Sequence, residues 1–406
     1  MFDNRHYVPI LRRKGAEMKA LCHLLSEDAK AVTPLIEICP NVLDIWDRKK
    51  NPPETNEGLF YEIIKPIGKG WASSSFFADL ELLDDSFKGL KEKHAVEYFF
   101  EVARDWYLNP IGVTGLRRSK GYQAALENSA VEVKNRGLCI RLETEDIKSP
   151  FLRNRLQRLM NRFELSEKDI DLLIDLKITE DNLTNYNSVY DSIPSVSLWR
   201  TFTIASGSFP KDLTDFEKNG EYEHPRNDWK LWKYIVSRLG QRQRIPTFSD
   251  YTIQYPFYIP TPPDANYSAA IRYTYEDYCV IMRGEAMRNR KGKPKGPGHA
   301  QYKALAKLLV ERKEYYGKEY SYGDQYIFQN TAPSAKTGSA SSWIRIGINH
   351  HMTTVVRQIA NLSRPLVKAK AVGQSIELPP LPRIWNNQRM PLPRTPEQRF
   401  LFPPTK

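Results

Sequence analysis

Apolar positions recur along the first 254 residues in two alternating rhythms. Short runs that read as buried strands occur at residues 7–11, 32–38, 76–83, 110–116, 138–143, 170–177, 196–204 and 247–254. Between them stand segments with apolar residues three and four apart: Met18, Leu21, Leu24 and Leu25 first, then 59–67, 95–106, 122–135, 151–163, 183–193 and 229–239. Side chains repeat every two residues on a strand and about every 3.6 on a helix, so the alternation predicts strand, helix, strand throughout. Gly68 and Gly70 stop one of these helices and Gly137 another. A helix between consecutive strands implies parallel pairing. Eight strands paired in this way predict a TIM-like (β/α)8 barrel, which closes the sheet and leaves no edge; a doubly wound open sheet is the alternative.

Beyond Pro256 the rhythm changes. Pro260, Pro262 and Pro263 predict a loop, and 269–283 a hairpin or a strand running into a helix. Residues 302–315 have helical spacing in Leu305, Leu308 and Leu309, whereas 320–328 is aromatic-rich and reads as a loop. The run from Trp343 to His351 alternates apolar and polar residues in the manner of a strand and leads into 353–362, which has the period of a closing barrel helix. The predicted organisation is a barrel-like domain over 1–362, with 256–342 inserted after the eighth strand as a loop and helix subdomain. The tail, 363–406, has nine prolines and reads as an extended or disordered arm.

The 406 residues suffice for a substantial core. No apolar run approaches the roughly 20 residues that span a bilayer, and the first residues lack the pattern of a secretion signal, so no membrane partner is expected and the expected location is cytoplasmic. Cys22, Cys39, Cys139 and Cys279 are widely spaced, which points to reduced, structural thiols. The formal charge of +12 invites a nucleic-acid reading, but nearly all of it resides in the tail and in the basic segment 288–295, leaving the body close to balanced.

In such a barrel the C-terminal ends of the strands line the site. Those ends supply Arg12, Arg13, Glu37, Asp79, Glu81, Arg117, Arg141, Glu143, Asp175, Lys177, Arg200 and Asp250. A ring of mixed charge suits a phosphate-bearing ligand, with Arg or Lys on the anion and carboxylates holding a divalent metal or moving protons. Asp79 and Glu81, two apart on one strand, share a face and are candidate catalytic residues and metal ligands; ion pairing with neighbouring Arg or Lys is the competing reading. Asp250 and His350 are candidate catalytic residues with them. His350 and His351 face opposite sides of a strand, or diverge by about 100° on a helix, so one at most enters a site, and which one stays open. Asn349 reads as a helix cap or a substrate donor. Tyr315, Tyr316, Tyr320 and Tyr322 could stack bases or simply pack. The chain contains no P-loop, no GxGxxG between strand and helix, no GxSxG and no HExxH.

Several fragments occur in a telling order: Tyr7-Val8-Pro9-Ile10-Leu11, Thr33-Pro34-Leu35-Ile36-Glu37, Asp250-Tyr251, Ile271-Arg272-Tyr273-Thr274, Arg283-Gly284, Gly323-Asp324, Trp343 and Asn349-His350-His351. Together they resemble the beta-protein family, a group named from a large bacteriophage and found across phage and bacterial genomes, often beside genes implicated in phage defence. The resemblance spans 7–362. The chain departs from it with Ser249 where relatives tend to carry Gly and Tyr322 where they tend to carry Trp. It implies an antiviral role by gene neighbourhood and no particular chemistry. Arg272 and Asp324, within the matched fragments, join Arg12, Glu37, Arg141, Lys177, Arg200, Asn349 and His351 as candidate binding residues. The resulting expectation is an anti-phage component whose barrel binds or processes a nucleotide or nucleic acid, as an enzyme by metal-assisted phosphodiester hydrolysis. The alternatives are a non-catalytic scaffold for a separate effector such as a nuclease, and an ordinary metabolic barrel enzyme.

Overall fold

The eight apolar runs form a closed barrel in which every neighbour is parallel. In a computed structural model, residues 2–40, 56–71, 74–83, 93–260, 266–288 and 296–372 are described. The strands are β1 (Tyr7–Arg12), β2 (Leu35–Glu37), β3 (Ser75–Asp79), β4 (Asn109–Thr114), β5 (Leu138–Glu143), β6 (Ile170–Ile178) and β7 (Thr201–Gly207). After β8 (Gly220–Pro225), which joins a different sheet, comes β9 (Thr247–Asp250). The circle closes where β9 pairs back onto β1, Phe248 opposite Tyr7 and Asp250 opposite Pro9. The architecture is therefore the (β/α)8 barrel that the sequence predicts.

Local chemistry sets the crossover helices. The helix Leu152–Phe163 buries Leu152, Leu156, Leu159, Met160 and Phe163 along one face. The helix Lys120–Asn128 starts at Ser119, whose Oγ accepts the Tyr122 N–H at 3.0 Å. Gly137, at φ +71°, carries the chain from the helix Ala130–Arg136 into β5, and a Cβ there would overlap the Asp169 carbonyl.

Four expectations about the elements are corrected, the first being that Gly68 and Gly70 stop their helix, which runs Asn56–Trp71 through both. Residues 183–193 form no full helix: a 3-10 turn, Leu183–Tyr186, takes its place. Side-chain oxygens there compete for the backbone, Asn182 Oδ1 accepting the Thr184 N–H at 3.2 Å and the Ser192 hydroxyl donating to the Ser188 carbonyl at 2.7 Å. Residues 320–328 are largely the helix Tyr322–Gln329, capped by Ser321. The run from Trp343 to His351 lies wholly within the helix Ala340–Val372, so it is neither a strand nor a lead-in.

A second sheet has the antiparallel order β10 (Ser268–Tyr275), β11 (Tyr278–Ala286), β8. The stretch 269–283 is thus a hairpin, and its third strand comes from ahead of the eighth barrel strand. This sheet packs Ile271, Tyr273, Val280 and Met282 against Tyr302, Leu305 and Leu309 of the helix Gln301–Val310, Ile327, and Trp343 and Ile346. The helix Ala340–Val372 serves both cores, because Ile348, Met352, Val355 and Ile359 on other turns pack with the barrel. Among the described residues no helix is long and apolar enough to cross a membrane. Most of the basic segment 288–295 and the tail beyond 372 lie outside the described residues.

Candidate functional site

The barrel interior changes from apolar to charged within one step of the strand period. Ile10, Leu35, Phe77, Cys139 and Leu173 fill the middle of the barrel. Two residues further along their strands stand Arg12, Glu37, Asp79, Arg141 and Asp175, which the period of two places on the same inward face, at the C-terminal mouth. All five are buried.

Arg141 is the hub. Its Nη2 donates to Glu37 Oε1 at 2.9 Å, Asp175 Oδ2 at 2.7 Å and the Tyr251 hydroxyl at 2.7 Å, and its Nη1 donates to Asp79 Oδ2 at 2.7 Å. Tyr251 in turn donates to Asp175 Oδ2 at 2.6 Å, and Lys177 Nζ lies 2.9 Å from the same oxygen. Burial pushes the Asp175 carboxyl upward, but Lys177, Arg141 and the Tyr251 hydrogen bond outweigh it and hold it well below the usual carboxylate range. Arg12 lies across the mouth, 3.6 Å from Glu37, and donates to the Tyr255 and Pro256 carbonyls at 2.7 and 3.1 Å.

Three aspartates toward the C-terminal ends of their strands share one device. Oδ1 of Asp79 accepts the N–H of Glu81 at 3.1 Å, Oδ1 of Asp175 that of Lys177 at 3.0 Å, and Oδ1 of Asp250 that of Thr252 at 2.9 Å. Each is an aspartate bonding the backbone two residues on, at the end of β3 and β9 and, in β6, at the irregularity between Asp175 and Ile178. Lys177 and Thr252 stand there at φ +55° and +56°, a conformation uncommon for residues with a Cβ. In every case Oδ1 shapes the backbone and Oδ2 takes a charged or aromatic partner.

Glu81 is therefore beyond β3, and it shares no strand face with Asp79. The two carboxylates instead meet on one arginine: Arg118 Nη2 donates to Asp79 Oδ2 at 2.9 Å, and its Nη1 contacts Glu81. Among the described residues, no group of three or more His, Cys, Asp or Glu side chains is placed to hold a metal ion. Arg118 rests on the Tyr122 ring at 5.6 Å. Beside it is a partly open recess lined by Glu81, Gly115, Leu116, Arg117, Arg118, Arg141, Glu143 and Asp146. Gly115 permits the close turn, since a Cβ there would lie 2.7 Å from the Arg141 carbonyl.

The two histidines serve two different sealed clusters, as their divergence on a helix demands. His351 Nε2 lies 2.9 Å from Asp250 Oδ2, and its Nδ1 lies 2.8 Å from the Thr274 hydroxyl. Burial holds His351 below its ordinary range, against the pull of Asp250. Tyr7 donates to Asp250 Oδ1 at 2.5 Å. His350 Nδ1 faces Asp324 Oδ2 at 2.8 Å, its Nε2 faces the Thr274 carbonyl at 2.8 Å, and its ring stacks on Tyr273 with centroids 3.8 Å apart. The order Thr274, His351, Asp250 matches a nucleophile, base and carboxylate, yet all three residues are buried between the barrel and the second sheet.

Of the residues expected from the sequence, Arg12, Glu37, Asp79, Glu81, Arg141 and Lys177 converge on the mouth. Asp250 does not join them: with Phe248 it occupies the outward face of β9, while Tyr251 points inward. Asn349 is no helix cap. It sits well inside its helix and ties two others to it, accepting the Gly323 N–H at 3.0 Å and donating to the Ala20 carbonyl at 3.1 Å. Arg272 lies on β10, against the Phe209 ring at 5.5 Å and the Ile253 carbonyl. Arg200 precedes β7, so it belongs to the opposite end of the barrel, paired with Asp171 at 2.5 Å. Arg118 and the Tyr251 phenol escaped sequence reasoning; the doubled Arg117-Arg118 after β4 and the step of two from Ser249 were the available signals.

Two buried carboxyls make stability fall toward neutral pH. Burial pushes Glu17 up to about 7, with Arg12 and Lys14 opposing, and burial with the Asp250 charge pushes Asp228 up to about 7, with Arg226 opposing. Both hold a proton in the folded chain at pH values where the unfolded chain, with carboxyls near 4, has released it. Their contribution is full below about pH 4 and is lost as pH rises through about 7. Asp175, Asp250 and Asp324 have depressed folded values, so theirs is present above about pH 4 and lost on further acidification. Urea unfolding across a pH series should show maximum stability near about pH 5. Asp228→Asn should flatten the decline from there to neutrality; an unaltered slope would show that Asp228 is ionised in the fold.

Comparison with known proteins gives one match. The sequence profile of the family described as Beta protein covers residues 7–357. No curated protein and no solved structure matches the chain.

Proposed function

The chain belongs to the Beta protein family, and on that premise we propose that its barrel mouth binds a small phosphate-bearing ligand, a nucleotide or the end of a nucleic acid, in a protein of antiviral defence. The ligand class is supported by one observation above all: Arg117, Arg118 and Arg141 line a single recess at the C-terminal end of the barrel. The defence setting is supported by the family resemblance alone. Arg117 is half exposed, near Asp146 at 3.3 Å and Glu145 at 3.8 Å. Glu81, also largely open to solvent, covers Arg118. A phosphate has more acceptor oxygens than a carboxylate and favours the guanidinium fork. It would take the place of Glu81 and draw Arg117 inward.

Binding without hydrolysis is favoured over metal-assisted phosphodiester cleavage. Both oxygens of Asp79 are engaged, one by the Glu81 backbone and the other by two arginines, and Asp175 is engaged likewise. His350 and His351 are buried away from the mouth, so neither can act as acid or base on a ligand there. This agrees with a partner subunit that recognises a ligand for a separate effector.

Calorimetric titration of the full chain with inorganic tripolyphosphate tests the reading. Arg117→Ala should weaken binding roughly tenfold or more, the value of a charge-assisted hydrogen bond, with the melting temperature unchanged. Absence of binding to the unmutated chain refutes the site. Turnover of a phosphodiester that disappears in Asp79→Asn would establish the hydrolase reading in its place.

A further inference from the structure

The loop that follows β9 brings apolar surface to an otherwise charged mouth. Phe257 is 45% exposed and Ile259 38%, two of the few large apolar side chains that face solvent. A single exposed apolar residue needs no explanation. Here the two lie within three residues of each other, on a loop that is held rigidly. Arg12 binds the Tyr255 and Pro256 carbonyls at 2.7 and 3.1 Å, and Pro256 lies against Gly207, where a Cβ would leave it no room. The Tyr255 and Phe257 rings stand 5.5 Å apart. Cations lie beside these aromatics: Lys177 Nζ is 6.0 Å from the Phe257 ring, and Lys14 Nζ is 5.7 Å from the Tyr258 ring.

Lys177 also links this loop to the arginine recess. Its Nζ is 3.8 Å from Glu143, which lines the recess, and 6.0 Å from the Phe257 ring. An anion seated among Arg117, Arg118 and Arg141 is thus one lysine away from an exposed aromatic face. A nucleoside phosphate has that pairing of parts, a flat π-system joined to an anion, and an aromatic ring stacks any base without reading its edge.

We infer that the loop 255–259 is a nucleobase platform, on which Phe257 stacks the base of a nucleoside phosphate whose phosphates occupy the recess of Arg117 and Arg118. The inference rests on the phosphate site proposed above and adds the ligand's other half. It predicts weak discrimination between purine and pyrimidine bases and clear discrimination between a nucleotide and a bare polyphosphate.

Titration of the full chain with ATP and with inorganic tripolyphosphate separates the two ideas. ATP should bind roughly tenfold or more tightly than tripolyphosphate, the value of one base on one aromatic ring. Phe257→Ala should remove that advantage and leave tripolyphosphate binding as it was, while Phe257→Trp keeps the advantage. The exposed position makes either variant safe for folding, which a melting curve verifies. A 5′-phosphorylated single-stranded decamer that competes with ATP supports a strand end as the source of the nucleotide, and one that fails to compete supports the free nucleotide. Equal affinity for ATP and tripolyphosphate, or an ATP affinity unmoved by Phe257→Ala, overturns the platform and leaves the phosphate site standing. No binding of either compound overturns both.

Discussion

Replacing Arg141 with methionine is expected to lower the unfolding free energy by about 3–5 kcal/mol. Methionine fills much of the volume, so a cavity is not the main loss. The loss is electrostatic: the guanidinium touches Glu37, Asp79 and Asp175, all buried, and each would be left with a single cation, Arg12, Arg118 and Lys177 respectively, the first of these 3.6 Å away. Removing one member of a buried ionic group leaves charge without compensation, a greater penalty than the intact group's net benefit. The deficit should be smaller at pH 4 than at pH 7, because a protonated carboxyl carries no charge to compensate. Chemical denaturation at the two pH values measures both quantities. A loss below about 1 kcal/mol would mean that water reaches the mouth freely and screens it as at a surface.

His350→Ala should produce a loss of similar size, about 3–5 kcal/mol, by a different route. It deletes a ring stacked on Tyr273 and strips buried Asp324 of the imidazole 2.8 Å from its Oδ2. Burial pushes Asp324 upward, and His350 leads the groups that hold its carboxyl below the usual range, ahead of Ser321 and Tyr273. Asp324→Asn combined with His350→Ala should cost less than the sum of the single changes, since the second removes what the first left stranded. Additive losses would show that the two side chains act independently. A variant with full stability and lost ligand binding would return His350 to the candidate site residues.

The barrel is legible in the sequence because its strands are buried on both faces and its crossover helices on one, which writes two different periods into the chain. β5 is read to the residue. β8 is invisible, since Gly220–Pro225 is half-buried, pairs on one side and alternates nothing apolar. The run from Trp343 to Ile348 misleads for a physical reason. A helix wedged between two cores is apolar on two faces, and over a few turns that imitates the alternation of a strand. The helix Tyr322–Gln329 announces itself only through Ser321 and Asp324, a capping pair three residues apart that the aromatic content obscures. Charged strand ends are equally readable, but their partners are not. Arg141 and Glu37 are 104 residues apart, and no local pattern tells a carboxylate that will meet an arginine from one that will meet a ligand. Asp79, Asp175 and Asp250 look like catalytic acids in a list of strand ends, and the fold employs one oxygen of each to bond the backbone two residues on.

The helix Ala340–Val372 also governs when the molecule can be finished during synthesis. Asn349 donates to the Ala20 carbonyl, a partner translated 329 residues earlier, and Arg357 reaches Asp28 across the same interval. At about 5–20 residues per second, the first barrel helix waits tens of seconds on the ribosome before its outer cover exists. Met18 and Leu21 belong to the same core as Met352 and Val355, so that core cannot be completed until the last part of the chain has been made.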